Sequence, residues 1–203
     1  MFSSDGGNWM EQRAVMPETT IDERVIEACQ EGDREAFRLL FETYKDRVFS
    51  IAVYSFDGDQ AAASDVSQQI FLKLMTSIQQ FRGDSAFTTW LYRMVVNTCI
   101  DERRRRKRFL PFGEVTPMLN VADKRPQEQQ YARVELAESV RAAITNLRPK
   151  LRLPILLKYV QGLSYEEIAT VLDCSKGTVA SRLNRGHKEL ARCLGHLRDQ
   201  VGD

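Results

Sequence analysis

Two short stretches concentrate positive charge on an otherwise balanced chain. Residues 102–108, Glu-Arg-Arg-Arg-Arg-Lys-Arg, hold six bases and one acid. Residues 173–192 hold Lys176, Arg182, Arg185, Lys188 and Arg192 against Asp173 and Glu189. The whole chain carries 29 Lys and Arg against 28 Asp and Glu, and residues 1–46 alone hold eleven acids against five bases, so the charge is partitioned rather than large. Guanidinium and ammonium groups grouped in this way suit phosphate oxygens and the acceptor edges of bases. The chemistry they support is contact with a polyanion, the plainer alternative being a solvated helix end.

Little else on the chain supports bond-making chemistry. The only histidines are His187 and His196, both close to the C-terminus. No glycine-rich phosphate loop occurs and no motif places a pair of acids, so no catalytic or cofactor-binding residue is assigned and an enzyme is not expected. The four cysteines, Cys29, Cys99, Cys174 and Cys193, are separated by 70, 75 and 19 residues. Zinc sites bring at least two ligands close together in sequence, so no metal site is assigned. Reduced cysteines packed as small hydrophobes are expected, a redox sensor being the alternative. Asp57-Gly58-Asp59 lacks the sixth-position glycine and closing glutamate of a calcium loop and reads as a turn. No apolar run approaches the roughly 20 residues a membrane span needs, and the start lacks a signal-peptide core, which together predict a cytoplasmic protein without membrane insertion.

The elements that must carry the charged groups are helices. With 203 residues, 43% hydrophobic and 28% charged, the chain can form one large domain or two small ones. Residues 1–20, with Gly6-Gly7 and Pro17, read as a disordered tail. From Ile21 the pattern turns helical, and Phe37, Leu40, Phe41, Tyr44, Val48 and Ile51 form one stripe. A second helix is predicted from Ser64–Asp65, with Val66, Ile70, Leu74, Ile78 and Phe81 inward and Phe71, Leu72 and Met75 widening the stripe. Ser85 is the expected N-cap of a third helix over Ala86–Lys107, which holds Phe87, Trp90, Leu91, Met94, Val95 and Ile100 and ends in the basic run. Residues 109–128 contain Pro111, Gly113, Pro117 and Pro126 and read as a flexible linker. Helical patterning resumes near Gln129 with Val134, Ala137, Val140, Ile144 and Leu147, and stops at Pro149. A short helix over Leu151–Gln161 is expected, with Pro154 in its first turn and Gly162 closing it. No strand alternation and no repeat is present, so the fold class is all-α: two small helical domains, 21–108 and 129–203, joined by a flexible linker.

The most specific local signal lies in the second domain. Ser164-Tyr165-Glu166-Glu167 is a capping box. Asp173 stands at a turn position that suits the left-handed region, which Asp tolerates, and Ser175 can cap the helix that follows. Ala169 is small where two helices cross, and Cys174 and Val179 can seal the turn onto Ile168 and Leu172. This is the arrangement of a helix-turn-helix, in which the first helix braces and the second enters the major groove. The second helix then presents Lys176, Thr178, Ser181, Arg182 and Arg185 to DNA.

Phe81-Arg82-Gly83-Asp84-Ser85-Ala86-Phe87, Thr89-Trp90-Leu91-Tyr92-Arg93 and Val96-Asn97-Thr98 resemble region 2 of bacterial sigma factors. Leu163 to Ala169 with Gly177-Thr178-Val179 and Ser181-Arg182 resemble region 4. The whole is similar to the extracytoplasmic-function group of the sigma-70 family, near the envelope-stress sigma-E type, over about residues 25–108 and 130–195. The resemblance implies a non-catalytic transcription factor that binds core RNA polymerase through its β′ clamp and β flap, brings it to a promoter and helps open the DNA. It implies polymerase contacts from Asp65, Gln68, Gln69, Phe71 and Leu72. It implies minus-10 contacts from Arg82, Asp84, Ser85, Trp90, Asn97, Arg103 and Arg104, and minus-35 contacts from Lys176, Thr178, Ser181, Arg182 and Arg185. An anti-sigma partner, which can hold such a protein at the inner membrane, is also implied. Trp90 taken alone also reads as core packing, and Asn97 taken alone as a polar residue packed on a bundle. Ala180 departs from the Lys or Arg of many relatives, and Gln69 from a common Glu. The competing function is a stand-alone helix-turn-helix regulator that dimerises through its N-terminal helices. Such a regulator has no need of the 81–98 motif together with the 102–108 patch.

Overall fold

A computed structural model describes residues 21–109 and 128–195. Its helices are α1 (Glu23–Glu31), α2 (Arg34–Ser55), α3 (Gln60–Ser77), α4 (Phe87–Phe109), α5 (Glu128–Asn146), α6 (Pro149–Tyr159), α7 (Tyr165–Val171) and α8 (Lys176–Cys193), with a 3-10 turn at Ile78–Gln80. No strand occurs among the described residues. The tail of residues 1–20, most of the linker and His196 lie outside them.

Aspartates start the first three helices. Asp22, Asp33 and Asp59 each accept a backbone N–H of the first turn, filling donors that a helix cannot satisfy internally. This divides the helical pattern that starts at Ile21 into α1 and α2: Gly32 ends α1 at φ 90° and Asp33 caps α2, which holds the expected stripe from Phe37 to Ile51 whole. It also starts α3 at Gln60 rather than at Ser64–Asp65. Helix α4 begins at Phe87, where Trp90 N–H donates to the Ala86 carbonyl at 3.1 Å, so Ser85 precedes the cap rather than forming it. Helix α6 begins at Pro149, so that residue opens a helix instead of only stopping one, and Pro154 falls beyond the first turn.

The first module packs α2 against α1, α3 and α4. Leu40, Tyr44, Val48 and Ile51 of α2 meet Val66, Ile70 and Leu74 of α3 and Leu91 and Val95 of α4, all buried. The second packs α6, α7 and α8 around Leu156, Leu157, Ile168, Val179 and Leu183. Gly186 lets α8 approach α6 closely, since a Cβ there would lie 3.1 Å from Ile155 Cγ1.

Both helical modules expected from the sequence are present. Their contact with one another was not expected. Helix α7 packs on α4, and α6 on α2, so the two interiors join into one apolar cluster. That explains why α4 buries Tyr92, Val96 and Cys99 in addition to the stripe read from its sequence.

Candidate nucleic-acid interface

The helix-turn-helix forms as its residues dictate. Ser164 Oγ accepts from Glu167 N–H at 3.2 Å, and Glu167 Oε2 accepts from Ser164 N–H at 2.8 Å, completing the capping box. Asp173 takes φ 48°, the left-handed conformation the turn requires. Cys174 N–H donates to the Ala169 carbonyl at 3.0 Å, which returns the chain toward α8. Ser175 then caps α8 by accepting from Thr178 N–H at 3.2 Å. Ile168 and Val179, both fully buried, seal the turn.

The outer side of α8 carries the five residues expected there. Lys176, Ser181 and Arg185 are exposed, and Thr178 and Arg182 are half-buried. All three cations are already partnered. Arg185 Nη2 donates to Ser181 Oγ at 2.8 Å, and Arg182 Nη1 donates to Cys174 Sγ at 3.7 Å. Lys176 pairs with Glu166 across the turn and holds that carboxyl below its ordinary range. A row of donors fixed on one exposed helix face suits phosphates and base edges.

The second candidate surface follows the loop from Phe81 to Ala86. Gln30 Nε2 ties its start by donating to the carbonyls of Ile78 (3.1 Å) and Phe81 (2.8 Å). Phe81, Phe87 and Trp90 pack in a three-ring cluster with centroids 5.4–5.9 Å apart. Trp90 is therefore half-buried and braces the loop. Arg82, Asp84, Arg93 and Asn97 are exposed, and Ser85 is partly so.

The basic run at the end of α4 is less free than its sequence suggests. Arg105 and Arg106 clasp Glu102, with Arg105 at 2.7 and 2.9 Å and Arg106 at 3.1 Å, and together they hold its carboxyl below the ordinary value. Arg106 also stacks over Phe56 at 5.2 Å. Arg103 does not face outward as expected: it donates to the Ser55 carbonyl at 2.6 Å and pairs with Asp57 at 2.8 Å. Arg104 and Arg108 remain exposed and, with Gln69, Lys73, Thr98 and Asp101, line a groove of about 430 Å³ between α3 and α4.

A third surface lies on α3. Asp65, Gln68 and Gln69 are exposed on its polar edge, and Leu72 is 58% exposed. Phe71 is instead buried against Phe41, the ring centroids 4.7 Å apart, so it supports this face from beneath. Met75, read from the sequence as part of the inward stripe, is 55% exposed beside Leu72. Its position three residues after Leu72 was the signal for a second apolar surface contact. No cluster of His, Cys, Asp or Glu among the described residues is arranged to hold a metal, and no described helix is long and apolar enough to cross a membrane.

Comparison with known proteins agrees with both modules. Residues 40–109 match the family model for sigma-70 region 2, and residues 137–198 match that for sigma-70 region 4. The chain is 36% identical over 184 residues to the RNA polymerase sigma-H factor of Pseudomonas aeruginosa, covering 87% of this chain and 95% of that one. It is equally 36% identical to the ECF RNA polymerase sigma-E factor of Escherichia coli K12, covering 86% and 95%. Among solved structures, CnrH in complex with the cytosolic domain of CnrY is similar at a TM-score of 0.63 and 25% identity, covering 86% of this chain and 97% of that chain. The Bartonella quintana sigma factor RpoE, solved with the anti-sigma factor NepR, shares the fold at a TM-score of 0.61 and 22% identity, covering 78% and 96%.

Proposed function

The chain belongs to the extracytoplasmic-function group of the sigma-70 family of RNA polymerase sigma factors, and from that premise we propose how its surfaces share the work of promoter recognition. The first module binds core RNA polymerase through Asp65, Gln68, Gln69 and Leu72, with Met75 added. The loop and helix over 81–108 hold the minus-10 element. There Asn97, with donor and acceptor on one side chain, can read an unstacked base, while Arg82, Arg93 and Arg104 meet phosphates. Opening a duplex costs a few kcal/mol per unstacked base, and contacts made only with the opened strand offset that cost. The second module reads the minus-35 element through Lys176, Thr178, Ser181, Arg182 and Arg185. The protein itself is non-catalytic and takes its chemistry from the polymerase. Its working location is cytoplasmic, and an anti-sigma protein is a second partner; a membrane-anchored one would hold it at the inner membrane.

One observation carries this reading: a single chain holds an exposed recognition helix and, on a separate module, an exposed Asn97 beside a ring-braced loop. The test is transcription with purified core polymerase on genomic templates. Promoter-specific transcripts are expected only when both are present. Tight footprinting by the protein alone, with no core-dependent transcript, would favour the stand-alone regulator. Arg182→Ala and Arg185→Ala should each weaken promoter binding by about 1–3 kcal/mol if they read bases. Asn97→Ala should impair opening more than closed-complex binding.

A further inference from the structure

Beside the shared apolar cluster, one carboxylate bridges the two modules. Asp57 follows α2, at φ 57°, and its two oxygens bind guanidinium groups from opposite modules: Arg103 of α4 at 2.8 Å and Arg152 of α6 at 2.7 Å. The same two arginines complete the C-terminal end of α2. Ala52 and Val53 carbonyls accept from Phe56 and Gly58 N–H, the Tyr54 carbonyl accepts from Arg152, and the Ser55 carbonyl accepts from Arg103. All four carbonyls that a helix end leaves open are thus filled, two of them by cations drawn to its partial negative charge. Arg152 is 3% exposed and also donates to the Thr145 and Leu147 carbonyls, so one guanidinium joins the ends of α2 and α5. A second polar link lies deeper. Tyr92 Oη of α4 donates to Gln161 Oε1 at 3.0 Å and accepts from Arg47 at 3.4 Å.

We infer that Asp57, shared between Arg103 and Arg152, forms an ionic latch that holds the free protein closed, and that the same carboxylate withholds Arg103 from DNA. The minus-10 and minus-35 positions are about 25 base pairs apart, or about 85 Å at 3.4 Å per pair. Modules of roughly 100 residues are about 30 Å across, so two that touch cannot occupy both sites. Parting leaves Arg152 its Thr145 and Leu147 partners and leaves Asp57 paired with Arg103 inside the first module, so a polyanion reaches Arg103 only by displacing Asp57. The closure rests on geometry alone, whereas the role of Arg103 on DNA rests on the promoter-binding reading above.

Energy transfer in the full-length free protein tests the latch. One dye is placed at Glu27→Cys on α1 and one at the native, exposed Cys193 on α8, in a Cys174→Ser background; Cys29 and Cys99 are buried. High transfer is expected. Asp57→Asn should lower it, since Asn tolerates the same left-handed backbone, and Tyr92→Phe should also lower it while keeping the buried ring. The Asp57→Asn protein should bind a fluorescein-labelled oligothymidylate about fourfold more tightly at about 0.15 M salt, the gain from one added phosphate contact on a single strand. Adding Arg103→Ala should remove that gain. Unchanged transfer in both single variants, or an Asp57→Asn gain that survives Arg103→Ala, would overturn the inference. Failure of the wild type to transcribe with core polymerase would instead overturn the functional reading and leave the transfer result standing.

Discussion

Single side chains in this protein are sorted by what surrounds them more than by their type. The four cysteines are the plainest case. Cys99 is buried in the joined core and its thiol is pushed up to about 12, and burial, helped by Asp33, also raises Cys29. Cys174 is half-buried and Cys193 exposed. Since the thiolate is the reactive form, iodoacetamide should modify Cys193 first and Cys174 more slowly, reaching Cys29 and Cys99 only on unfolding. Peptide mass mapping across a time course checks this, and early labelling of Cys99 would contradict its burial. Glu102 gives a second test. Its carboxyl is held below the ordinary 4.5, first by Arg105 and then by Arg106. A depressed carboxyl stabilises the fold above its unfolded value, and that stabilisation is lost as pH falls through the folded one. The difference in urea midpoint between wild type and Glu102→Gln should therefore be constant near neutrality and shrink below pH 4.5; a difference that persists unchanged into acid would assign the effect to packing. The same clasp explains why the basic run could not be read as a free row of charges: its partners Glu102 and Asp57 lie one turn away and 46 residues away, and only the nearer is visible in sequence.

At the level of elements, local rules were legible wherever a turn's chemistry is self-contained. The capping box at Ser164 and the left-handed Asp173 were both readable because every partner lies within a few residues. Ser164→Ala should cost about 1 kcal/mol in urea unfolding, because it orphans the Glu167 N–H in a helix of seven residues that has little stability of its own. A loss confined to noise would mean that tertiary packing alone holds α7. The crossing of α6 and α8 makes a complementary case. Gly186→Ala gains about 1 kcal/mol of helix propensity but places a methyl 3.1 Å from Ile155, where overpacking costs about 1–3 kcal/mol. A net loss of about 1 kcal/mol is expected from the same measurement, and a gain would show that Ile155 can move aside. What local rules missed were starts fixed by a competing cap. Asp59 begins α3 ahead of the expected Ser64–Asp65 start, and Asp33 divides the helical pattern that starts at Ile21 into two helices. In both places an aspartate with an open first turn prevailed over continuous apolar periodicity.

For the molecule as a whole, the two-module plan was legible because each half repeats a self-sufficient pattern of stripes and caps. The contact between halves was not, because it joins residues such as Tyr92 and Gln161 that are 69 positions apart and individually unremarkable in type. A tyrosine on a stripe reads as core, and nothing nearby shows that the core continues into another module. The span of chain between them permits separation. The eighteen residues between Phe109 and Glu128 reach at most about 60 Å when extended, enough to part the modules without breaking either. Stability should consequently be shared in the free protein. Helix α7 is too short to protect its own amides, so protection at Ile168 and Val171 must come from packing on α8 and α4. If that packing is one cooperative unit, hydrogen exchange in a urea series should show the α7 amides and those of Leu91 to Cys99 in α4 losing protection at a common midpoint. Independent modules would give two midpoints, with α7 following the second module alone. Asp57→Asn should convert the first pattern into the second without lowering the α4 midpoint by much, since Asp57 joins the modules more than it builds either one.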